Sequence, residues 1–218
     1  ILITHTHYDH LSAFALCQLA GVKQFRETPV TIYFTEDAFK MKEQLCNDKL
    51  LLNNGFREVL DKKQINFEQL FFFQEKKIGN YNVVPLPGRH PGSIEKKSAN
   101  FLFKDSMGKI SYYAVDTGYY YPETIDYLKD FTLSALITEC TWGENMEGED
   151  AKHLTLHSLK KLLEELDKQG TLNVFSKVYL THISHGHTML HEEIEAYVNS
   201  WRFPFEIRVA YDGLEIET

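Results

Sequence analysis

Cysteine is scarce in this chain of 218 residues: Cys17, Cys46 and Cys140 are odd in number, widely spaced and outside any C-x-x-C pair. That spacing argues against a disulfide framework and a zinc ribbon, and makes a reducing, cytoplasmic setting the expectation. No run of about 18 apolar residues is present to span a bilayer, and the first residues lack the charged leader and apolar stretch of a signal peptide. Positive charge is also short. With 23 Lys and Arg against 31 Asp and Glu, the formal net charge is -8, which disfavours a protein that cradles a long polyanion through many phosphate contacts. A small anionic substrate needs only a local positive centre, and metal ions can supply one. Repeats, low-complexity tracts and linkers are missing too. What remains, 43% hydrophobic and 25% charged, reads as one soluble domain over residues 1–218, large enough to bury a core.

Seven β-rich runs stand out: VTIYFT, YNVVPLP, ANFLF, KISYYAVD, ALITEC, KVYLTH and FEIRVAYDG, each bounded by turn residues. FLFKDSMGKISYY reads as a hairpin turning at DSMG. The clearest helix is LTLHSLKKLLEELDKQG, with Leu156, Leu159, Leu162, Leu163 and Leu166 on one face, Thr155 as its cap and Gly170 as its stop. EDAFKMKEQL is expected to be helical, whereas CNDKLLLNNGFREVLDKKQ gives mixed signals. This mixture predicts an α/β sandwich, sheets inside and helices outside. Its first strand, ILIT, runs straight into a histidine cluster, so the chain is expected to lack lead-in strands.

That cluster is HTHYDH, with His5, His7, Asp9 and His10 inside six positions. Such groups are costly to bury unpaired. In a loop at a strand end, the first two histidines can face one cavity while Asp9 and His10 turn toward a second point, so one segment can serve two metals. Imidazole and carboxylate suit zinc, manganese or iron. Further ligand candidates follow apolar β-runs: His90 in LPGRHPGS, Asp116 in YYAVDTGYY and His182 in VYLTHISHGH. An aspartate can bridge two ions because it has two oxygens.

The ordered set of HTHYDH, His90, VDTG and LTHISH resembles the metallo-β-lactamase-fold hydrolases over nearly the whole chain. The resemblance implies an αβ/βα sandwich of that type, here lacking its N-terminal strands. It also implies two divalent ions: His5, His7 and His90 on one, Asp9, His10 and His182 on the other, with Asp116 bridging. LTHISH, with HLTLHSLKKLLEEL ahead of it and YDGLEI after it, resembles the phosphodiesterase branch, above all the cyclic phosphate phosphodiesterases of carbon-phosphorus lyase pathways and more distantly ribonuclease Z. That branch carries a general acid at the position of His153, with His157 one turn later as competitor. Asp9 is expected to help hold the attacking hydroxide.

The activity implied is metal-dependent hydrolysis of a small phosphodiester, open or cyclic. Arg89, Ser93 and His185 are candidate substrate contacts, while His187 and His191 read as solvent-facing or as hydrogen-bonding support behind the ligands. Glu139 and Asp212 end strands and could orient ligand imidazoles. Two other chemistries stay open: a lactone or acyl-ester hydrolase using Tyr119, Tyr120 or Tyr121, and a nuclease of the same superfamily. A small phosphodiester is the expected partner, nucleic acid is disfavoured, no membrane is involved, and a homodimer is compatible.

Overall fold

The computed structural model describes residues 1–18, 28–144, 152–184 and 189–216. The chain divides into two compact units, Ile1–Phe72 with Pro91–Lys97, and Phe73–His90 with Ser98–Thr218.

In the first unit, α1 (Ala13–Gln18) precedes a two-stranded parallel sheet of β1 (Val30–Thr35) and β2 (Ile65–Leu70), in register from Val30 opposite Ile65 to Thr35 opposite Leu70. Alternation in VTIYFT places Ile32 and Phe34 wholly out of solvent. They pack in one apolar cluster with Ile3, Leu16, Leu45, Phe56 and Val59. ILIT is not a full strand. Leu2 makes a single parallel bridge to Tyr33, with Tyr33 N–H on Ile1 C=O and Ile3 N–H on Tyr33 C=O. Beyond Ile3 the chain leaves the ladder, and His10 and Leu11 both donate their N–H to His7 C=O in a tight turn.

Residues 36–61 explain their own mixed sequence signal. A 3₁₀ segment (Glu36–Lys40) leads into α2 (Met41–Asn47), then Asp48 caps one turn (Lys49–Leu51) by accepting Leu50 and Leu51 N–H. A wide turn over Leu52–Phe56, with Gly55 at φ +102°, kinks the path before α3 (Arg57–Asp61). The strand β2, INFEQL, was not among the expected runs.

The second unit is built on a seven-stranded mixed sheet: β3 (Lys76–Ile78), β4 (Tyr81–Gly88), β5 (Ser98–Lys104), β6 (Ile110–Ala114), β7 (Ala135–Glu139), β8 (Lys177–Thr181) and β9 (Glu206–Val209), ordered spatially as in sequence. Each of the seven expected runs in VTIYFT through FEIRVAYDG contains a strand. Pairing is antiparallel from β3 to β6 and parallel from β6 to β9. Because β4 is two antiparallel steps from β6, it runs in the same direction as β6, β7 and β8. The C-terminal ends of all four therefore share one sheet edge.

Two prolines sit inside β4. Pro85 and Pro87 cannot donate to a ladder, and β3 pairs only with Tyr81, Asn82 and Val83, stopping short of them. Their carbonyls are taken instead by Phe73 N–H and the Thr124 hydroxyl. The β5–β6 hairpin closes as expected at DSMG: Asp105 Oδ1 accepts Met107 and Lys109 N–H, both at 2.8 Å, and Gly108 supplies φ +82°.

Helix α4 (Pro122–Leu128) begins on a proline, which costs nothing at a first turn where the N–H has no partner in any case. Helix α5 (Leu156–Lys168) has the predicted face, with all five leucines at 0% exposure, and the predicted cap. Thr155 Oγ accepts Ser158 N–H at 3.0 Å while Ser158 Oγ accepts Thr155 N–H at 2.9 Å. With α6 (His191–Asn199), this face joins Leu86, Tyr112, Leu136, Val178 and Leu180 in the core of the unit.

Candidate active site

Each unit carries a histidine cluster. In the first, His5 is buried while His7 and His10 are half-exposed. The His5 ring centroid lies 4.7 Å from that of His7, edge to face, and 4.1 Å from that of His10. His5 Nδ1 is 3.1 Å from the Thr4 hydroxyl. Asp9 is exposed, with Oδ2 at 3.5 Å from His10 Nε2. The motif therefore brings its three imidazoles together and leaves its carboxylate at the solvent face. A pocket of about 310 Å³ adjoins the loop, walled by Thr6, Tyr8, Leu11, Phe14 and Leu45.

In the second unit the shared sheet edge collects four groups. His90 follows β4, Asp116 follows β6, Glu139 ends β7 and His182 follows β8. Asp116 and His182 both adopt left-handed backbone, φ +52° and +54°. Asp116 Oδ1 lies 3.2 Å from His182 Nε2 and 3.2 Å from His153 Nδ1. One ligand atom each from Asp116, Glu139, His153 and His182 falls within 4.8 Å of the others. His153 sits just before the Thr155 cap, its ring 4.7 Å from His90, 5.5 Å from His182 and 5.5 Å from Trp142. His157 is exposed and outside this group, so of the two acid candidates the structure brings only His153 to the edge.

Glu139 organises the edge. It is wholly buried. Its Oε1 accepts Thr117 and Gly118 N–H at 2.6 and 2.9 Å, and its Oε2 accepts the Thr141 hydroxyl at 2.6 Å and His153 Nδ1–H at 2.8 Å. Thr141 Oγ, its only proton spent on the carboxylate, stands 2.8 Å from His182 Nδ1 and can only accept there. His182 thus donates from Nδ1, and Nε2 is the nitrogen left to face Asp116 Oδ1, 3.2 Å away. His90 reaches the same state differently, with Nδ1–H donating to Lys152 C=O at 3.2 Å. Burial holds the His90 imidazole below its ordinary pKa, opposed by that bond and by the Asp116 charge. The neutral form is the one a metal needs. A donor set of bare imidazole nitrogens and a carboxylate, with the far nitrogens fixed by hydrogen bonds, fits a divalent transition metal.

The remaining candidates lie elsewhere. The Ser93 hydroxyl donates to Thr6 C=O at 2.8 Å. Arg89 lies with its guanidinium carbon 4.4 Å above the Tyr121 ring, beside a pocket of about 420 Å³ that Tyr119, Asp126, Lys129 and Glu165 also line. Tyr119 donates its hydroxyl to Glu165 at 2.9 Å, and Tyr120 is buried, its hydroxyl 3.5 Å from that of Thr138. All three tyrosines after Asp116 are engaged in this way. His191 faces Glu195 across one turn of α6 at 3.4 Å, and Asp212 is exposed. His185 and His187 lie outside the described residues. Sequence reasoning had Glu139, with Asp212, as a strand-end carboxylate able to orient a ligand imidazole, and it passed over Thr141, Thr6 and Glu95. The signal available for Thr141 was its place two residues past a strand-end carboxylate.

A family model described as a beta-lactamase superfamily domain matches residues 1–183. Among solved structures, unliganded yeast PDE1 superposes with TM-score 0.73 at 17% identity, covering 97% of this chain and 66% of its own. A diphosphatase from the PhnP family gives 0.65 at 20% identity, covering 100% and 70%. The short form of human tRNase Z gives 0.60 at 14%, covering 100% and 78%. At these identities the likeness is one of fold. No curated protein sequence matches the chain.

Proposed function

The chain belongs to the β-lactamase superfamily, whose fold it shares, and from that premise we propose that it is a metal-dependent phosphodiesterase acting on a small, open or cyclic phosphodiester. Two divalent ions (zinc, manganese or iron) would then be held by His5, His7, Asp9, His10, His90, Asp116 and His182. When bound, such ions supply a water of lowered pKa and neutralise charge growing on the phosphoryl oxygens.

The observation that carries the reading is His153. Its Nδ1–H is anchored on a buried carboxylate 2.8 Å away and lies 3.2 Å from Asp116, so the ring is held with Nε2 as its working atom. As imidazolium, His153 gives the Nε2 proton to a departing alkoxide and relaxes to the neutral Nδ1–H tautomer that Glu139 already binds. An imidazole whose Nδ1–H is already anchored can give and take a proton at the one remaining nitrogen, which suits it to that transfer. Similarity to a diphosphatase supports a phosphoryl substrate. The lactonase alternative needs a tyrosine hydroxyl to polarise a carbonyl, and those of Tyr119 and Tyr120 already bond Glu165 and Thr138, while the Tyr121 ring lies under the Arg89 guanidinium. A net charge of -8 favours a small ester over a long nucleic acid.

The test is hydrolysis by the metal-reconstituted protein of bis(p-nitrophenyl) phosphate, with Asp116→Ala as control, and of an alkyl phosphodiester. Nitrophenolate leaves without a proton; an alkoxide does not. Asp116→Ala should abolish both activities, whereas His153→Ala should lose roughly 10²–10⁴-fold on the alkyl ester and far less on the nitrophenyl ester. No turnover of either ester, with zinc and with manganese each tried, would refute the assignment.

A further inference from the structure

We propose that Glu95 is a positioning residue for the His5–His7 pair and that it acts through Thr6; the inference rests on the metal-binding part of the function proposed above. Three polar groups of Thr6 are all bound by the segment 93–95. Its N–H donates to Glu95 Oε1 at 2.6 Å and its hydroxyl to Glu95 Oε2 at 2.5 Å. Ser93 Oγ–H donates to Thr6 C=O at 2.8 Å, and Ser93 and Ile94 N–H donate to Thr6 Oγ at 3.0 and 3.3 Å.

The consequence lies in which peptides these bonds hold. Thr6 N–H belongs to the peptide plane shared with His5, and Thr6 C=O to the plane shared with His7. Pinning both planes fixes the Cα atoms and exit vectors of the two histidines while the Thr6 side chain turns to Glu95. The imidazoles then stand 4.7 Å apart, edge to face. Precise first-contact geometry of this kind is what a supporting hydrogen-bond layer supplies to a metal site.

The bracket is also built at a cost that ordinary packing would not require. Glu95 is 5% exposed and Thr6 is 4% exposed, and among the described residues Glu95 forms no ion pair with Lys or Arg. A carboxylate placed there is an isolated buried charge. Gly92 is needed to admit it, because a Cβ at that position would fall 1.9 Å from Glu95 Oε1.

Four full-length proteins test this: Glu95→Gln, Thr6→Val, Thr6→Ser and the Glu95→Gln/Thr6→Val double variant. Zinc affinity is measured by competition with a chromogenic chelator, beside the melting temperature of each metal-free protein and the kcat and KM on bis(p-nitrophenyl) phosphate. Gln offers one acceptor oxygen where Thr6 alone brings two donors, and Val removes the hydroxyl. Both should lose about 10–100-fold in zinc affinity, the double variant should be no weaker than the worse single, and Thr6→Ser should stay near wild type. A purely structural bracket predicts the opposite pattern, a lower melting temperature with zinc affinity unchanged, and that result would overturn the inference. So would equal losses in Thr6→Ser and Thr6→Val, a comparison that holds even if Glu95→Gln does not fold. Wild-type protein that binds zinc yet hydrolyses no phosphodiester would sink the proposed activity and leave the affinity comparison standing.

Discussion

Replacing Glu139 by glutamine should rewrite the protonation of two histidines while barely moving stability. The carboxylate accepts four hydrogen bonds, from Thr117 and Gly118 N–H on one oxygen and from Thr141 Oγ–H and His153 Nδ1–H on the other. The amide oxygen can keep the two backbone donors, which leaves its NH₂ facing Thr141 and His153. Thr141 must then accept from the amide and turn its own proton toward His182 Nδ1, 2.8 Å away. Both imidazoles consequently move their protons to Nε2. Charge-assisted bonds become neutral ones, a loss of about 0.5–1.5 kcal/mol for each of the four. Against this stands relief from burying a carboxylate at 0% exposure, worth several kcal/mol. The two nearly cancel, so a urea melt should shift by no more than about 2 kcal/mol. Zinc affinity should fall about 10–100-fold, because His182 has lost its Nε2 lone pair. The assay is heteronuclear imidazole NMR on metal-free protein at a pH where the rings are neutral. His153 and His182 should report Nδ1–H in the wild type and Nε2–H in the variant. Wild-type Nε2–H at His182, or unchanged tautomers in Glu139→Gln, would refute the relay.

Three further outcomes can be checked. Thr155→Ala removes the acceptor of Ser158 N–H at the start of α5 and should cost about 1 kcal/mol in a urea melt. Leu162→Ala opens a void under a leucine at 0% exposure in the larger core and should cost about 2–5 kcal/mol by the same measurement. Burial pushes the Cys140 thiol up to about 12, so at neutral pH its thiolate is scarce as well as shielded. Alkylation of native protein should label half-exposed Cys46 first and leave Cys17 and Cys140 until denaturant is added.

The legible parts of the fold were those whose signal is local. Period-two runs such as VTIYFT and the leucine face of α5 state their own burial, and the DSMG turn states its own geometry through Asp105 and Gly108. Segments whose form depends on partners were harder to read. INFEQL is a strand only because β1 lies beside it in parallel register, and ILIT stops after one bridge because the chain must depart into the histidine loop. The kinked helices of 48–61 join two features that no periodic template shares, a capped single turn and a left-handed Gly55.

The same division runs through the site. Metal-ligand residue types at strand ends were visible, and the strand directions explain why they gather: β4, β6, β7 and β8 run one way, so the residues that follow them reach one edge. What holds those residues was only partly visible: Glu139 could be named as a strand-end carboxylate able to orient an imidazole, but a threonine two positions on looks like any other until Thr141 Oγ is found between Glu139 and His182. Backbone strain was equally hidden. Asp116 and His182 both lie at positive φ, a conformation costing roughly 1–2 kcal/mol for a residue with a Cβ. Glycine would occupy either position more cheaply. A chain that places a carboxylate and an imidazole there, 3.2 Å apart, forgoes stability to aim two side chains at one point. Strain of that kind at the ends of strands two apart in one sheet is difficult to attribute to folding alone, and it separates this edge from a fortuitous cluster of polar strand ends.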